Sequence, residues 1–115
     1  MAIGDRTEKR LVGPVQLTAT DAAVGVVVPT GYLWVVKQII FCNTGNVDRL
    51  VYMGIGNTVT GGVSSRFVNG LPIAGFDTTV LDTALVLNAA DRFWGYSDFA
   101  SQINVTIVGW EKQVA

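Results

Sequence analysis

Four aspartates in the second half of the chain are the side chains best suited to do chemistry: Asp77, Asp82, Asp91 and Asp98. Two convergent carboxylates could hydrolyse a glycosidic bond, and several could hold Ca²⁺. Their spacing does not match a calcium-binding loop, however, and each lies beside a turn. Aspartate is favoured beside turns because its side chain bonds the local backbone. The pattern therefore favours turn residues over an active site or a metal site.

The chain has no histidine that could act as a general base in nucleophilic catalysis, and its single cysteine is Cys42. A Ser–His–Asp or Cys–His arrangement cannot form, and one cysteine permits no intrachain disulfide. Cys42 ends an apolar run, which predicts an inert core or interface thiol. The Gly54-Ile-Gly56 segment lacks the third glycine of a dinucleotide-binding turn. We therefore expect no enzyme, and no catalytic, cofactor-binding or metal-binding residues.

Aromatic residues are a stronger signal of function, since the short chain holds three tryptophans and three tyrosines. In the segment Arg92-Phe-Trp-Gly-Tyr96, strand alternation places Phe93 on one face and Arg92, Trp94 and Tyr96 on the other. Such a stripe can anchor a protein interface or stack on sugars. We favour an oligomer interface, with a place in the core and a sugar-binding module as alternatives.

The composition also indicates a buried outer surface. The 115 residues suit one domain; 50% are hydrophobic and 15% charged, against about 25% charged in an average domain. Mean hydropathy is +0.41. A monomeric β-sandwich rich in Val, Ala and Gly would explain these values. Small monomers seldom expose large apolar patches, however, so we favour a homo-oligomer. The net charge of −1 without a basic stripe predicts no nucleic-acid partner. No apolar run reaches the ~18–20 residues of a membrane helix, and the polar start predicts a chain made in the cytosol without a secretory signal.

Turn residues divide the chain into short strands, which predicts an all-β fold: one antiparallel β-sandwich of about seven or eight strands, jelly-roll or immunoglobulin-like, without substantial helix. Residues 57–77 are glycine-rich and predict a long excursion with at most one short strand, at 65–68. The predicted strands are 15–20, 24–28, 32–42, 49–55, 78–81, 84–87, 92–97 and 102–111.

Residues 1–10 differ from the rest, because they hold five of the seventeen charged residues. They predict a flexible N-terminal arm, or one bound to a neighbouring subunit, ahead of a sandwich domain at 11–115. Strand 32–42 is apolar on both faces, so we expect it to be central, with its second face covered. Trp110 falls on the outward face of the last strand. The predicted protein-interface residues are Asp5, Arg6, Glu8, Lys9, Arg10, Tyr32, Trp34, Arg92, Trp94, Tyr96 and Trp110.

Two stretches resemble small β-sandwich virion proteins of tailed bacteriophages. They are Val27–Thr44, and Leu85–Trp94 followed by Ile103–Glu111. The resemblance that these residues carry extends over about half of the chain. Asn88-Ala-Ala-Asp91 replaces the usual Ala-Gly-Asp turn. The resemblance implies a virion protein assembled in the host cytoplasm, most simply a capsid decoration or minor capsid protein that stabilises the particle surface. It implies a homo-oligomer such as a trimer, with the phage major capsid protein as partner. A tail or baseplate component bound to tail proteins, and a carbohydrate-binding module for host attachment, are the alternatives.

Overall fold

A computed structural model describes residues 6–56 and 66–114, and this part of the chain forms eight strands and no helix. It therefore holds no helix that is long and apolar enough to span a membrane. The strands are β1 (Arg6–Gln16), β2 (Ala22–Val24), β3 (Tyr32–Asn43), β4 (Arg49–Gly56), β5 (Arg66–Ile73), β6 (Thr78–Leu87), β7 (Arg92–Ser97) and β8 (Ile103–Gln113).

The strands form two four-stranded antiparallel sheets. Sheet I has the order β1-β8-β3-β6, and sheet II has the order β2-β7-β4-β5. Successive strands thus alternate between the sheets except at β4–β5, which is the connectivity of an eight-stranded jelly roll. This confirms the predicted all-β sandwich and decides between its two variants. It also confirms that β3 is a central strand, between β8 and β6.

The core lies between the sheets and is built from the inward residues of each strand. Ile39, Phe41, Met53, Phe93 and Ile107 are fully buried there. Phe67 meets Phe93 edge-on, with ring centroids 6.1 Å apart. The principal extents are 46 × 25 × 19 Å, so the molecule is elongated.

A β-bulge in β3 decides which side chains reach the core. Against β8, the register slips between Val36 and Gln38, which leaves Lys37 as the extra residue. Against β6, the register shifts at the same point, where Lys37 meets Thr83 and Ala84. Trp34 and Val36 face inward before the bulge, and Ile39 and Phe41 face inward after it. An uninterrupted alternation had placed Trp34 and Val36 on the face opposite Phe41. That prediction is wrong because a bulge changes the parity of a strand.

Strand boundaries deviate from the predictions in three places besides β2, which was predicted at 24–28 and lies at Ala22–Val24. The excursion at 57–77 contains the full strand β5; residues 57–65 lie outside the described residues. Strand β6 is one strand rather than two, with a register shift between Asp82 and Leu85, at the gap where the sequence predicted a break. Strands β3, β4, β7 and β8 lie within two residues of their predicted bounds.

The third deviation is at the start of the chain. Residues 6–10, predicted as an arm, belong to β1, where Thr7 pairs with Glu111 and Arg10 with Val108. Strand β1 is the edge of sheet I, and charged side chains suit an edge strand because they discourage unwanted pairing. The sheet therefore begins well before the predicted boundary at Leu11. Asp5 lies outside the described residues.

Candidate protein-interaction surfaces

A cationic patch surrounds Trp110 on the outer face of sheet I. The guanidinium of Arg6 lies 4.6 Å from the centre of the indole ring and the Lys37 ammonium 4.9 Å from it. The indole Nε1 donates a hydrogen bond to Glu8 Oε1 at 3.4 Å. Arg6, Glu8 and Lys37 are exposed. We call this surface the Trp110 patch; Arg10 and Lys112 flank it in the register of β1 and β8.

The patch is basic overall. Together with Lys9, it holds five of the eight cationic side chains of the chain, against the carboxylates of Glu8 and Glu111. The bulge contributes directly, because the extra residue of β3 is the lysine that reaches the ring. Arg6, Glu8, Arg10 and Trp110 were all predicted as interface residues, and the structure brings them together on one surface. Lys37 was not predicted as an interface residue, because the apolar pattern of β3 does not indicate the bulge that brings this side chain to the ring.

Trp34 is not on this surface. Its side chain is 2% exposed and belongs to the core, and its Nε1 donates to Glu111 Oε2 at 3.1 Å. Lys9 Nζ lies 3.3 Å from the other oxygen of Glu111, so Lys9 binds a carboxylate of its own chain. Tyr32 is half-buried and packs against the core. The prediction of an outward Trp34 is therefore wrong, and the cause is again the bulge.

The remaining outer face of sheet I carries aliphatic side chains in register. One row joins Val86, Val35 and Trp110, and another joins Val80, Ile40 and Thr106. Val80 and Val86 are 48% and 51% exposed. We call the aliphatic members of these rows, Val35, Ile40, Val80 and Val86, the aliphatic rows; Trp110 belongs to the Trp110 patch. Cys42 is half-buried on the same face, beside Ile40 and paired with Asn104, so it is not a core thiol. Within the described residues, nothing covers this face.

The predicted stripe on β7 lies on the outer face of sheet II, and Phe93 lies in the core as predicted. Trp94, however, is only 8% exposed: it faces Gly54 in the register, Arg92 lies over its ring, and its Nε1 donates to the Gly56 carbonyl. Trp94 is therefore a packed residue rather than an exposed anchor.

Tyr96 stacks on Tyr52 across the strands, with ring centroids 4.6 Å apart. The Arg66 guanidinium lies 5.2 Å from both ring centres and donates to the Tyr96 hydroxyl. The exposed ring surface that a sugar would need is thus partly occupied by the protein itself.

A second exposed apolar surface lies at the end of the sandwich where β3 leads into β4. Residues 44–48, 74–77 and 98–102 meet there: the Phe76 amide donates to the Gly45 carbonyl, and the Thr44 amide to the Gln102 carbonyl. Phe76 is 75% exposed. Arg49 lies 4.3 Å from the ring centre of Phe99. We call this surface the loop end. Its exposed apolar side chains are Val47, Leu50, Phe76 and Phe99.

Buried Asn43 holds the loop end together. Its Nδ2 donates to the carbonyls of Val47 and Ile73, and its Oδ1 accepts from the Gly45 amide. The predictions missed both Asn43 and the loop end. The segment Asn43-Thr-Gly-Asn is typical of an ordinary turn, and Phe76 lies in the glycine-rich excursion. An aromatic residue between Gly75 and Asp77 was the signal available.

The four candidate carboxylates do not converge. Asp77 and Asp98 accept backbone amides at the loop end, Asp91 accepts the Asn88 amide in another turn, and Asp82 accepts from the Gln38 side chain on sheet I. In residues 6–56 and 66–114, no three histidine, cysteine or carboxylate side chains form a group that could hold a metal.

Comparison with known proteins yields a likeness of fold. No family model matches the sequence, and no curated protein is similar to it. Among solved structures, the chain is similar to one from Bacillus endospore appendages, which are described as disulfide-linked pili. The TM-score is 0.55 at 10% sequence identity, over 99% of this chain and 93% of that one.

Proposed function

We propose that this chain is a non-enzymatic structural subunit that assembles with copies of itself. The aliphatic rows carry the proposal. Strand β3 turns Val35 and Ile40 toward solvent, and the paired Val86 and Val80 of β6 widen this apolar surface on both sides of the Gln38–Asp82 hydrogen bond. A solvated sheet face normally carries polar side chains. An apolar outer face on a small domain marks an interaction surface.

The outer face of sheet I as a whole has the size of a protein interface. Four strands about 4.8 Å apart and about 11 residues long, at about 3.3 Å per residue, cover roughly 19 by 36 Å, or about 700 Å². Each partner buries ~800 Å² in a standard protein complex. The aliphatic rows occupy the β3 and β6 side of this face, and the Trp110 patch occupies most of the β1 and β8 side.

We propose that the assembly is part of a bacteriophage virion, and that this chain is a decoration or minor capsid subunit on the surface of the particle. The support is the sequence resemblance in strands β3, β6–β7 and β8. A tail or baseplate component is the alternative, and the copy number per purified particle separates the two. The likeness to a pilus protein is one of fold, and it is compatible with a subunit that polymerises.

Sedimentation velocity at micromolar concentration tests self-assembly. The double variant Val80→Lys/Val86→Lys places two charges on the aliphatic rows, at side chains that are already half-exposed, so the fold should be retained. We expect wild type to sediment as an oligomer and the variant to dissociate at least about tenfold more readily, since each partner must desolvate the added charges.

Val26→Lys is the control, because Val26 is a valine outside the strands that is even more exposed, at 62%. It should assemble like wild type. A monomeric wild type, or a double variant that assembles as tightly as wild type, would overturn the proposal. Circular dichroism on all three proteins shows whether the fold is intact.

A further inference from the structure

We propose that the loop end of one copy docks onto the Trp110 patch of a second copy, in a head-to-tail contact. This inference rests on the proposed function, because it names a second, directional interface of the same self-assembling subunit. The aliphatic rows alone would not predict it, since they lie on one face and give the contact no polarity along the strands.

Phe76 is the first reason. Its backbone has φ of 57°, a conformation that glycine and asparagine adopt readily and phenylalanine rarely does. Its ring is 75% exposed and is not part of the core. The conformation of the turn therefore does not favour phenylalanine, and neither does packing within the chain. A partner that buries the ring would favour it.

Charge complementarity identifies that partner as a second copy. The loop end carries the exposed carboxylates of Asp48, Asp77 and Asp98 against the one cation Arg49. Their hydrogen bonds to the Gly75, Thr78 and Leu50 amides leave the negative charges in place. The Trp110 patch carries an excess of positive charge and an aromatic ring. Opposite potentials across a contact steer association and fix its orientation.

Cationic side chains of the patch can also stack on aromatic rings of the loop end. Arg49 already lies over Phe99 within the loop end, and Arg6 and Lys37 lie over Trp110 within the patch. The exposed cations of the patch can likewise stack on Phe76 of the next copy, because a cation over an aromatic face is attracted by its quadrupole.

The two surfaces lie apart along β3. Trp110 pairs with Val35, eight residues before the end of β3 at Asn43, which corresponds to about 26 Å along the strand. A contact between two different surfaces of identical subunits is heterologous, and it produces a ring or a filament depending on its rotation. Either product is a larger assembly than a two-fold dimer.

A charge-exchange experiment tests the contact. In the patch variant, Arg6→Glu and Lys37→Glu make the patch acidic. In the end variant, Asn46→Lys, Ala74→Lys and Ala100→Lys make the loop end basic; all three residues are exposed and the aspartate hydrogen bonds stay intact. In sedimentation velocity, each variant alone should lose assembly at least about tenfold, since it presents like charges. An equimolar mixture should regain it, because the acidic patch of one then meets the basic end of the other.

Phe76→Gly supplies the second measurement. It suits the backbone conformation, so its Tm should equal or exceed that of wild type, while assembly weakens at least about tenfold. Lysines at Ala19, Ala23 and Asn69, which lie outside both surfaces, are the control and should leave assembly unchanged. If the patch, end and Phe76 variants assemble like wild type while Val80→Lys/Val86→Lys dissociates, this inference is wrong and the proposed function stands. A mixture that stays dissociated also overturns the head-to-tail contact, and a monomeric wild type overturns both proposals.

Discussion

The hydrogen bond between Trp34 and Glu111 should stabilise the fold much more than the ion pair between Lys9 and Glu111. Both use the same carboxylate, but Trp34 is 2% exposed whereas the Lys9 side chain is 43% exposed. Three substitutions separate them: Trp34→Phe, Glu111→Gln and Lys9→Ala.

A hydrogen bond to a charged group contributes about 1.5–3 kcal/mol, and an exposed ion pair about 0.2–1 kcal/mol. We therefore expect Trp34→Phe to lower the free energy of unfolding by about 2 kcal/mol or more, and Lys9→Ala by less than about 1 kcal/mol. An unfolding entropy of about 2.1 cal/mol/K per residue over 115 residues gives about 240 cal/mol/K. The corresponding decreases in Tm are about 8 °C and at most about 4 °C.

Thermal and urea denaturation followed by circular dichroism, under conditions where the protein is monomeric, measure these values. Trp34→Phe also loses ring volume, so it is repeated in the Glu111→Gln background, where the acceptor is neutral. The cost should fall by about 1 kcal/mol, since the volume term cancels between backgrounds. An equal cost in both backgrounds, or a Lys9→Ala cost as large as that of Trp34→Phe, would refute the assignment.

Two further predictions concern the positioning of the surfaces. Gly109→Ala should lower Tm by more than about 10 °C, because a Cβ there would collide with the Val35 carbonyl oxygen and press on the backbone of Val36 and Lys37. A Tm near wild type in a thermal scan would contradict the tight fit at the bulge. Asn43→Ala should cost about 2–4 kcal/mol in urea denaturation, since it removes a buried hydrogen bond to the Ile73 carbonyl and partly buried ones to the Val47 carbonyl and the Gly45 amide. Faster amide exchange should accompany it in residues 44–48, and exchange that stays slow would show that other contacts hold the loop end.

The fold class and most strands could be predicted from local pattern. Turn residues bound β3, β4, β7 and β8, and apolar alternation within these strands specifies a sandwich. The sheet order could not be predicted in this way, because β1 pairs with β8 across nearly the whole chain. The charged residues of segment Arg6–Arg10 are typical of a free terminus. The segment becomes an edge strand only because it pairs with β8, which is distant in sequence.

The candidate site was predicted in part. One surface holds Arg6, Glu8, Arg10 and Trp110, because strand alternation turns these side chains toward the same outer face of β1 and β8. Trp34 was assigned to the wrong face because a bulge gives no signal in apolar pattern. The loop end was missed since three separate turns build it, and the exposed phenylalanine at its tip is visible only once those turns are brought together.

The position of β8 in sheet I has a consequence for synthesis of the chain. Strand β8 lies between β1 and β3, yet the ribosome makes it after the other seven strands. Until then β1 has no partner and β3 has one open edge, so sheet I cannot close, and long-range pairing of this kind is slow to form. Trp110, Lys112 and Glu111 arrive on that same strand. A nascent chain that stops short of β8 therefore lacks the basic surface as well as a closed sheet, and completion of the fold coincides with the ability to join an assembly.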